Sequence, residues 1–143
     1  MELNNNINLL KYAKHGDNPE LLIEIIEAGA DKNAVNETGA TSLHIATQHA
    51  NNNIIAALIK LKVNLNDKDQ NGNTALHYAV MIKNKIAAKA LVEVGANPNI
   101  KNNDNKTALK IAQENHIEMV KILLPTATKK KAFYTKERTP LNW

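Results

Sequence analysis

The sequence predicts an all-α solenoid, in which short helix–turn–helix units stack along one axis. The first observation is an internal repeat with a period of 33 residues. The second is a set of helix start and stop signals that recurs in each period, and the third is a content of only 3% aromatic residues, which favours closely packed aliphatic helices. The columns that keep the period include Thr41, Thr74 and Thr107; Leu43, Leu76 and Leu109; and Ala13, Ala46, Ala79 and Ala112.

Each unit begins with a polar turn and a threonine. Thr41 is a good helix N-cap because its hydroxyl can accept a hydrogen bond from an otherwise unpaired backbone N–H. The apolar-periodic residues that start at Leu43 predict a short first helix. Asparagines at 51–53 interrupt the pattern, and residues 54–61 predict a second, more apolar helix.

The helix ends carry signals of their own. Gly29 and Gly95 stand where a helix needs a left-handed residue to end. Pro19 suits the first turn of a helix, where its missing N–H has no partner to lose. Helices this short are not stable alone, so the units must be stabilised by stacking on one another.

Two recurring motifs resemble those of the ankyrin repeat family. Residues 41–46 (Thr-Ser-Leu-His-Ile-Ala) and 74–79 (Thr-Ala-Leu-His-Tyr-Ala) resemble its Thr-Pro-Leu-His-x-Ala signature. Residues 29–33 (Gly-Ala-Asp-Lys-Asn) and 95–99 (Gly-Ala-Asn-Pro-Asn) resemble its Gly-Ala-Asp-x-Asn turn. The resemblance covers residues 5–124 and implies helix–turn–helix units joined by β-hairpin-like turns.

The domain is expected to end before the C-terminus of the chain. We place an ankyrin repeat domain at 1–124, with four units at approximately 3–35, 36–68, 69–101 and 102–124. The last unit departs from the pattern: Lys110 replaces histidine, Asn105 replaces glycine, and the turn between its helices is one residue short. Residues 125–143 are either a basic tail or a degenerate or truncated fifth repeat, since Arg138-Thr-Pro-Leu141 falls where the next signature should begin.

Composition restricts the compartment and the type of site. The absence of cysteine excludes a disulfide framework and a thiolate metal site, and it fits a reducing compartment. The N-terminal residues do not resemble a signal peptide, and no apolar stretch approaches the ~20 residues that a membrane helix needs. We expect a soluble, monomeric protein in the cytoplasm or, since the family is common in host-targeting proteins, one secreted into a host cytosol.

The net charge of +4 is weak evidence for a nucleic-acid partner. Five basic residues and one acidic residue lie within 129–138, and the rest of the chain holds 13 of each sign. A neutral body lacks the basic stripe that follows a phosphate backbone, so nucleic acid is not the expected partner. The alternative predicts binding that falls steeply with salt and is lost when 129–138 are deleted.

The sequence carries no recognisable catalytic or cofactor motif. Ser42 is the only serine, and neither a nucleophile-elbow motif nor a phosphate-binding loop is present. His44 and His77 lie in separate units, and we interpret them as partners of the N-cap threonines in a variant capping box rather than as metal ligands. Asp67 and Asp69 lie in predicted turns, where a solvated carboxylate is expected. The sequence therefore predicts a non-enzyme with no cofactor and no metal.

The resemblance implies that a partner protein binds the turn tips and the exposed side of the first helices. Met81 and Ile82 stand out, because the matching positions of the neighbouring units are polar and an exposed apolar pair marks an interaction site. The alternatives are that packing buries one of the pair, and that the chain is a non-catalytic fragment of a larger enzyme or host-targeting effector. The predicted partner-binding residues are Glu37, Thr38, Gln48, His49, Gln70, Asn71, Asn73, Met81, Ile82, Asn103, Asp104, Lys106, Glu114 and Asn115, with Ala40 a further tip position.

Overall fold

A computed structural model describes residues 2–124 of the chain, which fold into a series of paired helices. Residues 117–124 form the last helix of the described range, α8. Apart from an isolated antiparallel bridge between Val35 and Thr41, no strand pairing occurs within residues 2–124, so the predicted all-α class is confirmed. The other helices are α1 (Glu2–His15), α2 (Pro19–Glu27), α3 (Ser42–Gln48), α4 (Asn52–Lys60), α5 (Ala75–Met81), α6 (Lys85–Glu93) and α7 (Ala108–Asn115).

The first helix of the second and third units begins with the predicted capping box. The Thr41 hydroxyl accepts the backbone N–H of His44 at 3.3 Å, and the Thr41 N–H donates to His44 Nδ1 at 3.1 Å. Thr74 and His77 repeat both bonds, at 3.4 and 3.0 Å. Each box pairs two backbone groups that a helix start otherwise leaves unpaired.

Helix ends use left-handed residues, as predicted for Gly29 and Gly95, whose φ angles are +113° and +100°. The chain adopts the same backbone region without glycine after α4, at Lys62 (φ +57°), and in the turn before α7, at Asn105 (φ +61°). Because a Cβ opposes this conformation by about 1–2 kcal/mol, stacking of the surrounding units must hold Lys62 in place. Asparagine tolerates the region better than lysine does.

The helices pack in two rows, which confirms the predicted solenoid. The first helices of the units (α1, α3, α5 and α7) contact one another in sequence, and α2, α4 and α6 form a second row behind them. The described core is aliphatic, as the composition predicted, and the buried histidines among residues 2–124 are His44 and His77 of the capping boxes. The largest fully buried apolar side chains are Leu9, Leu22, Leu43, Ile54, Ile55, Leu58, Leu76, Leu91, Met119 and Leu123.

Within residues 2–124, no helix is both long enough and apolar enough to cross a membrane. The tail or fifth repeat predicted at 125–143 lies outside the described residues.

Candidate functional site

The predicted tip residues lie on three hairpin turns, at 36–40, 69–73 and 102–106. Each turn is closed by a backbone bond between its end residues, such as Asn36 N–H to the Ala40 carbonyl at 2.9 Å. The first side chain of each turn also folds over the turn and accepts two backbone N–H groups, as an Asx turn does. These acceptors are Asn36, Asp69 and Asn102, with bond lengths of 2.9–3.0 Å.

Asp69 corrects the prediction of a solvated carboxylate. Its side chain is buried because it closes the turn and also accepts a hydrogen bond from the Tyr78 hydroxyl. Burial raises the pKa of Tyr78, and the bond to Asp69 raises it further. The 33-residue spacing of Asn36, Asp69 and Asn102 is the sequence signal that identifies these positions as turn-closing residues.

Hydrogen bonds join the hairpin turns into one continuous row. Gln70 N–H donates to the Thr38 carbonyl at 2.8 Å, and Asn103 N–H donates to the Asn71 carbonyl at 3.0 Å. The Asn103 amide adds a bond to the Gln70 carbonyl at 2.7 Å. Glu37, Thr38, Gln70, Asn71, Asn103 and Asp104 are all exposed on this row, which can therefore present side chains to a partner.

The capping histidines connect each first helix to the next hairpin turn. The ring nitrogen Nε2 lies 2.8 Å from the Asn73 carbonyl in His44 and 2.9 Å from the Lys106 carbonyl in His77. Because a carbonyl can only accept, Nε2 carries the proton and Nδ1 accepts from the capping threonine. Burial lowers the pKa of His77, which favours this neutral form.

Asn73 is not available to a partner, so its assignment to the binding surface was wrong. It is only 7% exposed. Its side-chain oxygen accepts from the Asn102 amide at 2.8 Å, and its backbone N–H is bound by Asp69. The backbone carbonyl of Asn73 also accepts a hydrogen bond from His44 of the preceding unit. Ala40, the other tip position at the end of a turn, is buried as well.

The predicted helix positions form a second row at the ends of α3, α5 and α7, which we call the helix-end row. Met81 and Ile82 are 36% and 42% exposed, so neither is buried by a neighbouring unit. All the other members are exposed and polar, and they are Gln48, His49, Glu114 and Asn115.

Lys106 and Glu114 connect the two rows in the fourth unit. The Lys106 ammonium lies 2.7 Å from a Glu114 oxygen, and Lys110 approaches the same carboxylate at 3.8 Å. The hydrogen-bonded Glu114 raises the pKa of Lys106, and Lys106 lowers the pKa of Glu114. Both groups are accessible, so this ion pair can open to a partner.

A groove that the sequence analysis did not identify lies at the N-terminal end, with a volume of about 800 Å³. It combines α1 with the first hairpin turn and with α3, and it brings together Glu37, Thr38, Gln48 and His49 among the predicted residues. The sequence feature that could have identified this groove is a stripe on one face of α1, which is apolar at its N-terminal end and basic at its C-terminal end. The remaining lining residues are Leu3, Asn6, Ile7, Leu10, Lys11, Lys14, Val35, Asn36 and Ile45.

The described part of the chain holds no cluster of three or more side chains suited to bind a metal ion. Its two most buried histidines already have both ring nitrogens in hydrogen bonds within the repeat. These bonds hold the helix starts and the hairpin turns together, and they occupy both ring nitrogens of each capping histidine.

Comparison with known proteins agrees with the repeat geometry. The family model for ankyrin repeats (3 copies) matches residues 9–102, which is more than half of the chain. A search of curated proteins finds no significant match. The chain therefore belongs to the ankyrin repeat family, whose members generally serve as protein–protein interaction modules.

Proposed function

We propose that this protein is an adaptor or scaffold that binds a partner protein through the hairpin turns and the helix-end row. The observation that carries the proposal is the exposure of Met81 and Ile82, at 36% and 42%, between polar pairs in the units on either side. An apolar centre with a polar rim is the usual composition of a protein interface. Methionine is also adaptable at contact surfaces.

The hydrogen-bonded row of turns supports the proposal, because a pre-ordered surface loses little conformational entropy when it binds. The module is proposed to be non-catalytic and to act as a monomer. His44 and His77 support a structural role for the repeat signature, since both rings hold helix starts and neighbouring turns together.

The test is affinity capture from cell lysate with the full chain and with the Met81→Arg, Ile82→Lys double variant. Burial of a fully exposed side chain of this size contributes about 1.5–3 kcal/mol, and binding can bury only the 36% and 42% of Met81 and Ile82 that are still exposed. The new charges add a desolvation penalty, so binding should weaken by about tenfold or more. Val94→Lys is the matched control, because Val94 is an exposed aliphatic residue at the C-cap of α6 in the second row.

A protein retained by the wild type and by Val94→Lys, but not by the double variant, supports the proposal. Circular dichroism must show unchanged helicity for both variants. A partner captured equally well by the double variant would show that Met81 and Ile82 are not the centre of the interface.

A further inference from the structure

The groove at the N-terminal end has an apolar end beside the first hairpin turn. The Asn6 side chain accepts the Asp31 N–H at 2.7 Å, which places the first half of α1 against the chain that leads into this turn. Three large aliphatic side chains are exposed in the groove: Leu3 at 72%, Ile7 at 41% and Val35 at 55%.

The opposite end of the groove is basic. The His15 and His49 rings lie edge to face with centroids 6.3 Å apart, so the C-terminal ends of α1 and α3 meet there. Lys11 and Lys14 line the groove on the same face of α1, one turn apart. Within the described chain, neither lysine is in salt-bridge distance of a carboxylate, and Glu37 is the only acidic residue in the lining.

We propose that this groove binds a peptide segment of a partner protein that carries aliphatic side chains at one end and carboxylates at the other. The inference rests on the proposed function and names the chemistry of the segment bound. Aliphatic side chains would cover Leu3, Ile7 and Val35, while carboxylates would neutralise Lys11 and Lys14. A volume of about 800 Å³ is suited to a few side chains.

The shape and charge of the groove favour a peptide over other partners. The apolar residues belong to a concave surface formed by α1, the first hairpin turn and α3, whereas a lipid surface is suited to a flat apolar face. Two lysines with Glu37 nearby do not form the extended basic stripe that a nucleic acid needs. A basic or purely apolar segment would leave the two ammonium groups without a counter-charge.

The experiment is a selection of random peptides displayed on phage, with the full chain immobilised as bait. We expect the enriched peptides to combine aliphatic residues with Asp or Glu. One enriched peptide is then labelled, and its dissociation constant for the full chain is measured by fluorescence anisotropy.

The Lys11→Glu, Lys14→Glu double variant should weaken this peptide by about tenfold or more, since two exposed ion pairs become repulsive contacts. The matched control is Lys85→Glu with Lys89→Glu, which changes the net charge equally at two exposed lysines of α6, in the other row of helices. The control should bind the peptide as the wild type does. Lys11→Gln with Lys14→Gln keeps the test valid if glutamates near the end of α1 disturb folding.

The inference would be overturned by a selection that enriches no peptide or enriches peptides without acidic residues. Equal loss in the Lys85 and Lys89 control, or self-association that the Lys11 and Lys14 variant abolishes, would overturn it as well. Peptides whose affinity depends on Met81 and Ile82 but not on the groove lysines would also refute the groove, while the proposed function would stand. If the full chain binds the selected peptide through the groove but captures no protein from lysate, the proposed role of the helix-end row fails and the groove stands.

Discussion

Replacing His77 by alanine should destabilise the repeat array far more than any single exposed substitution. The buried ring accepts the Thr74 N–H at 3.0 Å and donates to the Lys106 carbonyl at 2.9 Å. The first bond starts helix α5, and the second holds the next hairpin turn. One substitution therefore removes a helix cap and a link between units together.

The magnitude follows from the groups that lose their partners. Each hydrogen bond contributes about 0.5–1.5 kcal/mol net, and a buried N–H left without an acceptor costs about 1–3 kcal/mol. Thr74 is fully buried, so its N–H suffers this penalty, whereas water can reach the half-buried Lys106. With the cavity left by the ring, the free energy of unfolding should fall by about 3–5 kcal/mol.

The assay is urea denaturation of the full chain, followed by circular dichroism and analysed by linear extrapolation. His49→Ala is the matched control, because His49 is exposed and its ring makes only one hydrogen bond, to the Ile45 carbonyl. That control should change stability by no more than about 0.5 kcal/mol. If His77→Ala loses less than about 1 kcal/mol, or no more than His49→Ala, the histidine does not join the units as argued.

Three further predictions use the same denaturation assay. Gly72→Ala should lower the free energy of unfolding by about 2–4 kcal/mol, because residue 72 has a φ of +75° and its new Cβ would lie 2.7 Å from a backbone nitrogen of the next turn. Gly95→Ala, whose Cβ would meet nothing within 4 Å, should lower it by only about 1 kcal/mol. Equal losses in the two variants would contradict the close packing of the turns. Lys110→His should raise stability by about 0.5 kcal/mol, since it restores the ring acceptor of the capping box and removes only an exposed ion pair; no gain would mean that the fourth unit does not form the box. Stability should fall as pH drops below 6.5, the ordinary pKa of histidine, because folding lowers the pKa of His77 and the unfolded chain therefore binds the proton first. The slope of stability against pH should flatten in the His77→Ala variant. A stability that rises on acidification would contradict this sign.

Local signals explain why much of the fold was predictable. The Thr41 cap, the His44 partner and the Gly29 helix end each act within a few residues of their own position, so the chain carries them as short motifs. Their recurrence at one period then implies stacking, because no such short helix is stable alone. The solenoid followed from these local rules without knowledge of any long-range contact.

The candidate site was less predictable because accessibility depends on the neighbouring unit. Asn73 occupies a tip position like its exposed neighbours, yet the Asn102 amide of the next turn covers it. Asp69 resembles any turn carboxylate until the fold brings the Tyr78 hydroxyl against it. For Met81 and Ile82 the sequence left open whether packing buries one of the pair, and the structure leaves both partly exposed, at 36% and 42%.

The sequence alone determined the repeat, its period, the order of its helices and its aliphatic core, because caps, turns and periodicity act over a few residues. The helix bounds were only approximate, since the second helix predicted at 54–61 spans Asn52–Lys60. Tertiary structure alone decided which polar turn residues are buried and where a concave surface forms. The N-terminal groove shows the reason most clearly. Leu3 and Val35 are far apart in sequence, and they share a groove only because α1 packs on α3 beside the first hairpin turn. Caps, turns and periodicity are local features, so they do not predict a contact between side chains that meet only when two units stack.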